Sequence, residues 1–270
     1  TLLICLLCCG QSYAEAEKIL VVNGGTSIPR PPYRWIDQCS GKVIGSIPHL
    51  LGKIFTPLNI KYRYTAPSVD DIELSPEVDE QLENGEIDAR IVYGKNPANS
   101  AVIYSQQPIS VIKLAVFYPR SAATITRPQQ LRQLRGVAIS PLKQATPLSP
   151  LQNYLRQQGL PFILAATEDE AIELIKTGQA DYVLTLKYNQ LLANYSFQRL
   201  NITGFNIHFY LAIAANSDYA DIMPEIDYQI EQAIASGLVD FLDRKYLMLW
   251  LERGKKACTE SLLTPEPELS

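Results

Sequence analysis

Leu82-Glu83-Asn84-Gly85-Glu86-Ile87-Asp88-Ala89 returns later in the chain as Ile175-Lys176-Thr177-Gly178-Gln179-Ala180-Asp181-Tyr182. Each copy reads as the end of a helix, a glycine at the cap, and a strand that opens with an aspartate beside an apolar residue. Gly85 and Gly178 stand too far apart for a solenoid, whose repeats run about 20–50 residues. The spacing suits two related lobes in which a helix feeds a central strand. A common helix-to-strand turn met twice is the other reading of the pair.

The surrounding sequence continues the scheme. Lys18 to Asn23 is a short apolar run closed by Gly24-Gly25, as expected of a buried parallel strand. Ile47 to Phe55 is apolar at helical spacing with Pro48 in its first turn, Asn59 to Thr65 alternates as a strand, Pro76 to Asn84 reads as a helix and Ile87 to Tyr93 as a strand. A second series follows. Gln129 to Leu134 is a short helix, Gly136 to Ile139 a strand, Ser149-Pro150 opens a helix that ends at Gly159, Phe162 to Ala165 is a strand, Glu168 to Thr177 a helix and Ala180 to Leu184 a strand. This alternation predicts an α/β fold with right-handed crossovers. Two longer β-rich stretches, Ser110 to Tyr118 and Asn206 to Ala215, read as crossings between the lobes. Residues 17–107 with 206–254 then form lobe 1 and residues 108–205 form lobe 2. Asp221 to Leu251 is helical with a break at Ser236-Gly237, and residues 255–270 read as a loose, Pro-rich tail.

Composition bounds the function. The 270 residues are 47% hydrophobic and 19% charged, a globular balance, and the formal net charge of −4 leaves no basic surplus for nucleic acid. Thr1 to Cys9 is an uncharged apolar run too short to span a bilayer, followed by Ala14 and Ala16 at positions suited to cleavage. Residues 1–16 therefore read as a signal peptide whose natural start lies upstream, and the mature protein is expected in the periplasm. Leu6-Leu7-Cys8-Cys9 is a poor lipoprotein box. Cys39 and Cys258 remain after cleavage, and in an oxidising compartment a disulfide between them is expected, two free thiols being the alternative.

The order of these features resembles the bacterial extracellular solute-binding proteins of family 3, the type 2 periplasmic binding proteins. The residues that carry the resemblance are Ile19 to Asn23, Pro31-Pro32-Tyr33, Gly41 and Gly45 around Val43, Leu82 to Ala89, Leu131 to Ala138, Glu170 to Val183, and Gly237-Leu238-Val239 through Lys245-Tyr246. The resemblance implies a two-lobed α/β fold, each lobe a mixed sheet flanked by helices, joined by two hinge crossings. It also implies a small-molecule ligand held between the lobes and a permease of an ABC-type transporter as partner. Three departures bear on the ligand. Gly45 is followed by Ser46 where the family commonly has an acidic residue. The run Gly94-Lys95-Asn96-Pro97-Ala98-Asn99 lacks the arginine that clamps an amino-acid carboxylate, and Leu186 stands where an acidic residue would hold the ammonium. A standard α-amino acid is therefore a poor fit, since lysine or asparagine does not reproduce a bidentate guanidinium contact.

Ligand residues are expected at the ends of parallel strands. That rule picks out Tyr33 and Trp35 after the first strand, and Tyr93, Lys95 and Asn96 after the Ile87 strand. In the second lobe it picks out Ser140 and Lys143 after the Val137 strand, and Thr185 and Lys187 after the Tyr182 strand. Tyr33 and Trp35 are expected to face Lys143 across one cleft. Three lysines without an acidic group suggest an anionic or neutral polar solute. His49 and His208 are the two histidines and read as structural, so neither a metal site nor another cofactor is expected. No phosphate loop or nucleophile elbow occurs. The leading expectation is a monomeric solute-binding protein. The alternatives are a free-standing sensor and, less favoured for want of a carboxylate at the strand ends, a dehydratase-like enzyme on the same fold.

Overall fold

The computed structural model describes residues 18–25, 29–66, 76–122, 124–139, 155–187 and 197–253. The first half runs β1 (Ile19–Val22), the hairpin strands β2 (Trp35–Ile36) and β3 (Val43–Ile44), α1 (Ser46–Phe55), β4 (Lys61–Tyr64), α2 (Pro76–Glu83), β5 (Ala89–Tyr93) and β6 (Val102–Tyr104). β7 (Ser110–Pro119) then leads to a 3-10 turn at Pro128–Gln133, β8 (Gly136–Ile139), β9 (Phe162–Ala165), α3 (Glu168–Lys176) and β10 (Tyr182–Leu186). The long β11 (Phe197–Ala214) returns the chain to the first half, where α4 (Met223–Ala235) and α5 (Leu238–Arg253) close the fold.

The main sheet has the order β4-β1-β5-β11-β7-β10-β8-β9, with β6 also paired to β11. Its two ends are copies of one another. β1 lies parallel between β4 and β5, and β8 lies parallel between β9 and β10. β5 and β10 each meet a long antiparallel strand, β11 and β7 respectively. The repeated octets occupy equivalent places, and their hydrogen bonds coincide. Gly85 donates to the Leu82 carbonyl and Gly178 to that of Ile175. Both glycines turn the helix end with φ near +70°, at 73° and 69°. Asp88 Oδ2 then accepts the Val21 N–H at 2.8 Å, and Asp181 Oδ2 accepts the Arg135 N–H at 2.7 Å. Each aspartate thus fastens the start of its central strand to the neighbouring parallel strand, at β1 and just ahead of β8.

Helices cover both faces of the sheet. α1 starts with Pro48 in its first turn, where the missing N–H does no harm, and buries Leu50, Leu51, Ile54 and Phe55. Each such side chain contributes about 1.5–3 kcal/mol of transfer free energy. Leu82 and Ile87 join Val92, Val102 and Ala212 on the opposite face of the first half. α3 is capped by the Thr167 hydroxyl, which accepts the Glu170 N–H, and it carries Glu168, Asp169 and Glu170 in its first turn and Lys176 in its last. Its Ala171, Ile172 and Ile175 pack on Val137 and Val183.

Three sequence expectations are modified. The short helix read over Gln129 to Leu134 is a 3-10 turn, and the helix read from Ser149 is described only at residues 155–157. β11 begins at Phe197 rather than Asn206, because residues 197–201 already pair with Ala115–Pro119 before a register shift between Asn201 and Asn206. That irregularity breaks the two-residue period through which a strand announces itself.

Candidate functional site

The chain leaves β1 at Asn23 and enters a loop rich in proline, Pro29-Arg30-Pro31-Pro32-Tyr33-Arg34. The loop folds into a tight turn: the Arg30 N–H donates to the Arg34 carbonyl at 2.7 Å, and the Arg34 N–H donates back to the Arg30 carbonyl at 3.0 Å. Both guanidinium groups therefore leave one short segment and enter one concave site of about 630 Å³, measured to its open mouth. Asn23, Tyr64 and Tyr93 bring the ends of β1, β4 and β5 to it, Ile47 and Pro48 the start of α1, and Ile112 and Phe209 the two long strands.

The walls are aromatic and apolar. Tyr93 packs on Phe209 with ring centroids 4.5 Å apart, and Tyr33 meets Phe209 at 6.2 Å. The polar end is cationic. Arg30 donates to the Tyr93 hydroxyl and holds its guanidinium carbon 5.9 Å from the centre of that ring. Arg34 Nη1 donates to the Gly24 carbonyl at 2.8 Å. A Cβ on Gly25 would lie 1.2 Å from Arg34 Nη1, so only glycine leaves room for the guanidinium there. Arg90 also reaches the site and is paired with Asp79 on α2. The Tyr64 hydroxyl is buried without a hydrogen-bond partner among the described residues, and burial, followed by the neighbouring Tyr62, pushes it well above the ordinary tyrosine range against the pull of Arg34. None of the described residues lining the site is acidic.

Of the residues expected from sequence, Tyr33 and Tyr93 line this site. Trp35 does not. Its ring is 5% exposed and makes edge contacts with Tyr246 and Trp250 of α5, at 5.9 and 5.3 Å. Lys95 lies on the opposite face of the sheet, 4.5 Å over the Tyr210 ring, and donates to the Gln106 carbonyl. Asn96 closes a surface turn by accepting the Ala98 N–H. Thr185 is buried opposite Ala115, and Lys187 gives its N–H to the Lys113 carbonyl, so neither is brought to the site. Ser140 and Lys143 lie outside the described residues, as do Cys258 and residues 1–16. His49 is structural, with Nδ1 3.0 Å from the Tyr246 hydroxyl. His208 lies on β11 beside Tyr210 and its carbonyl accepts the Gly94 N–H.

Sequence reasoning missed Arg30, Arg34, Tyr64 and Phe209. The signal for the first two was present in the quoted motif itself, where arginines four apart flank Pro31-Pro32-Tyr33. Prolines on both sides of Arg30 fix the loop, which turns back toward the sheet instead of leaving it.

No protein-family model and no curated protein matches this chain. Solved structures do match in fold. The ligand-binding core of GluR0 in complex with L-glutamate superposes with a TM-score of 0.64 at 14% identity, covering 86% of this chain and 100% of that one. The probable amino-acid ABC transporter extracellular-binding protein YtmK of Bacillus subtilis gives 0.63 at 16% identity, covering 85% and 97%. A histidine kinase sensor domain with similarity to periplasmic binding proteins gives 0.59 at 17% identity, covering 86% and 96%. The chain therefore has the two-lobed type 2 periplasmic-binding-protein fold.

Proposed function

We propose that the protein is an exported solute-binding protein whose lobes close on a small polar solute and present it to the permease of an ABC-type transporter. The observation that carries this reading is the concave site at the ends of β1, β4 and β5, bordered by the two strands that run through both halves of the sheet. Such strands are natural hinges for a closure driven by a ligand that touches both lobes. The lobes are assigned as residues 17–107 with 206–254, and 108–205, with residues 255–270 as a tail. The register shift between Asn201 and Asn206 supports a hinge at that boundary.

Amino-acid binding and ABC transport are named for neighbours of this fold, which supports the class of function. A free-standing sensor is the second reading, favoured by the histidine kinase sensor domain. The absence of a carboxylate among the described lining residues argues against acid–base catalysis there. Cleavage after residues 1–16 and a monomeric periplasmic form complete the proposal, as does a disulfide from Cys39 to Cys258. Non-reducing digests of periplasmically expressed protein are expected to yield the Cys39–Cys258 peptide, and an alkylated Cys258 would contradict it.

The function is tested by a thermal-shift screen of small solutes on the mature protein. At least one solute is expected to raise the melting temperature in a concentration-dependent way. Binding without effect on transport in reconstituted vesicles would favour the sensor.

A further inference from the structure

Most polar side chains in the lining of the site are committed within the protein. Arg30 donates to the Tyr93 hydroxyl, Arg34 donates to the Gly24 carbonyl, Arg90 pairs with Asp79, and Asn23 Oδ1 accepts the Gly25 N–H. Tyr64 differs. It is the last residue of β4, level with Val22 of β1, and it packs against the core that α1 covers. Two residues earlier Tyr62 takes the same face, and its hydroxyl donates to the Pro48 carbonyl at 3.2 Å. The Tyr64 hydroxyl is buried with no partner among the described residues, in a side chain that lines the cavity. We propose that Tyr64 is the specificity-determining residue of the site, and that its hydroxyl donates to the carbonyl oxygen of a small solute with an apolar or aromatic body.

A hydroxyl taken out of water without a partner is destabilising, and a ligand that supplies an acceptor restores the lost bond. That stabilisation appears only on binding, and a ligand without the acceptor does not share it. Buried polar groups discriminate between a substrate and its apolar analogue in this way. Burial holds the Tyr64 proton well above the ordinary tyrosine range, so the group enters the contact as a donor. The sheet gathers the rest of the site around it. Tyr64 and Tyr93 end β4 and β5 on either side of β1, and Phe209 of β11 stands opposite Tyr93. Tyr93 and Phe209, with ring centroids 4.5 Å apart, and Tyr33 supply aromatic contact for the body of the solute.

The inference rests on the solute-binding reading, and it is tested without and with a ligand. In the ligand-free protein Tyr64→Phe removes a hydroxyl that serves no internal bond, so its melting temperature is expected to equal or exceed the parent's. Calorimetry then uses acetophenone and ethylbenzene, which differ by the carbonyl and carry no charge. The parent is expected to bind acetophenone about tenfold more tightly than ethylbenzene. In Tyr64→Phe the two are expected to bind within about twofold of one another, because acetophenone weakens and ethylbenzene does not. Tyr228→Phe, at an exposed position, is expected to leave both affinities unchanged. A preference for acetophenone that survives in Tyr64→Phe, no preference in the parent, no binding of either probe, or a lower melting temperature of ligand-free Tyr64→Phe overturns the inference. In that event the solute-binding reading still stands if another solute raises the melting temperature, and falls with it if none does.

Discussion

Trp35 and Asp243 show how differently two buried side chains of one region act. Trp35 joins the β2–β3 hairpin to α5 through Tyr246 and Trp250, and its truncation leaves a cavity that its neighbours cannot fill. Trp35→Ala is expected to lower stability by about 3–5 kcal/mol in urea unfolding. Ligand affinity of the folded fraction should stay within about twofold. A loss of affinity at unchanged stability would return Trp35 to the cleft. Tyr33 was legible as a candidate because it follows the end of a parallel strand, and it does line the concave site. Trp35 was not separable from it, because Tyr33 ends a turn and Trp35 opens a strand, so the two-residue period does not relate them.

Asp243 is pushed up to about 6 by burial, pulled back by the Ser46 hydroxyl, raised again by Asp240 and lowered by Lys113. A carboxyl that titrates near 6 in the fold and near 3.9 in the unfolded chain holds its proton more tightly when folded. Its contribution to stability is therefore fully present below about pH 4, falls as pH rises toward 6, and is lost above that. The urea midpoint of Asp243→Asn, measured from pH 4 to 7.5, is expected to gain on the parent as pH rises. A difference that stays constant across that range would contradict the assignment.

At the scale of the elements, the paired octets matter most. The Asp88 carboxylate accepts the Val21 N–H and the Ser217 hydroxyl, at 2.8 and 2.7 Å. Asp88→Ala leaves both donors without that acceptor, and a loss of about 1–3 kcal/mol is expected in chemical denaturation. A neutral result would mean that water replaces the carboxylate at no cost. Asp181 plays the same part in the second half, with Arg135 supplying both the N–H and a guanidinium. Burial would raise its carboxyl, but the Arg135 backbone and side chain together hold it below the usual range. Most of the strand and helix order was legible, since these elements carry regular periods and glycine caps. The start of β11 was hidden by its irregularity, and the course of the loop that carries Arg30 and Arg34 beside Tyr33 is announced by no period. Nothing periodic marks a loop that doubles back. Its prolines and paired arginines are the only trace it leaves in sequence.

For the whole molecule, one sheet carries two equivalent halves, and two strands belong to both. β7 bonds β10 over Leu114–Phe117 and β11 along most of its length. β11 passes from β7 to β5 and β6 without leaving the sheet. On the proposed reading, closure would bend the molecule where these strands cross between the halves. No helix among the described residues is long and apolar enough to cross a membrane. Closure on a bound solute is the central step of the proposed function. Small-angle scattering of the mature protein, titrated with whichever solute raises its melting temperature, is expected to show the radius of gyration falling to a plateau as the site fills. An unchanged radius of gyration at full occupancy would contradict it.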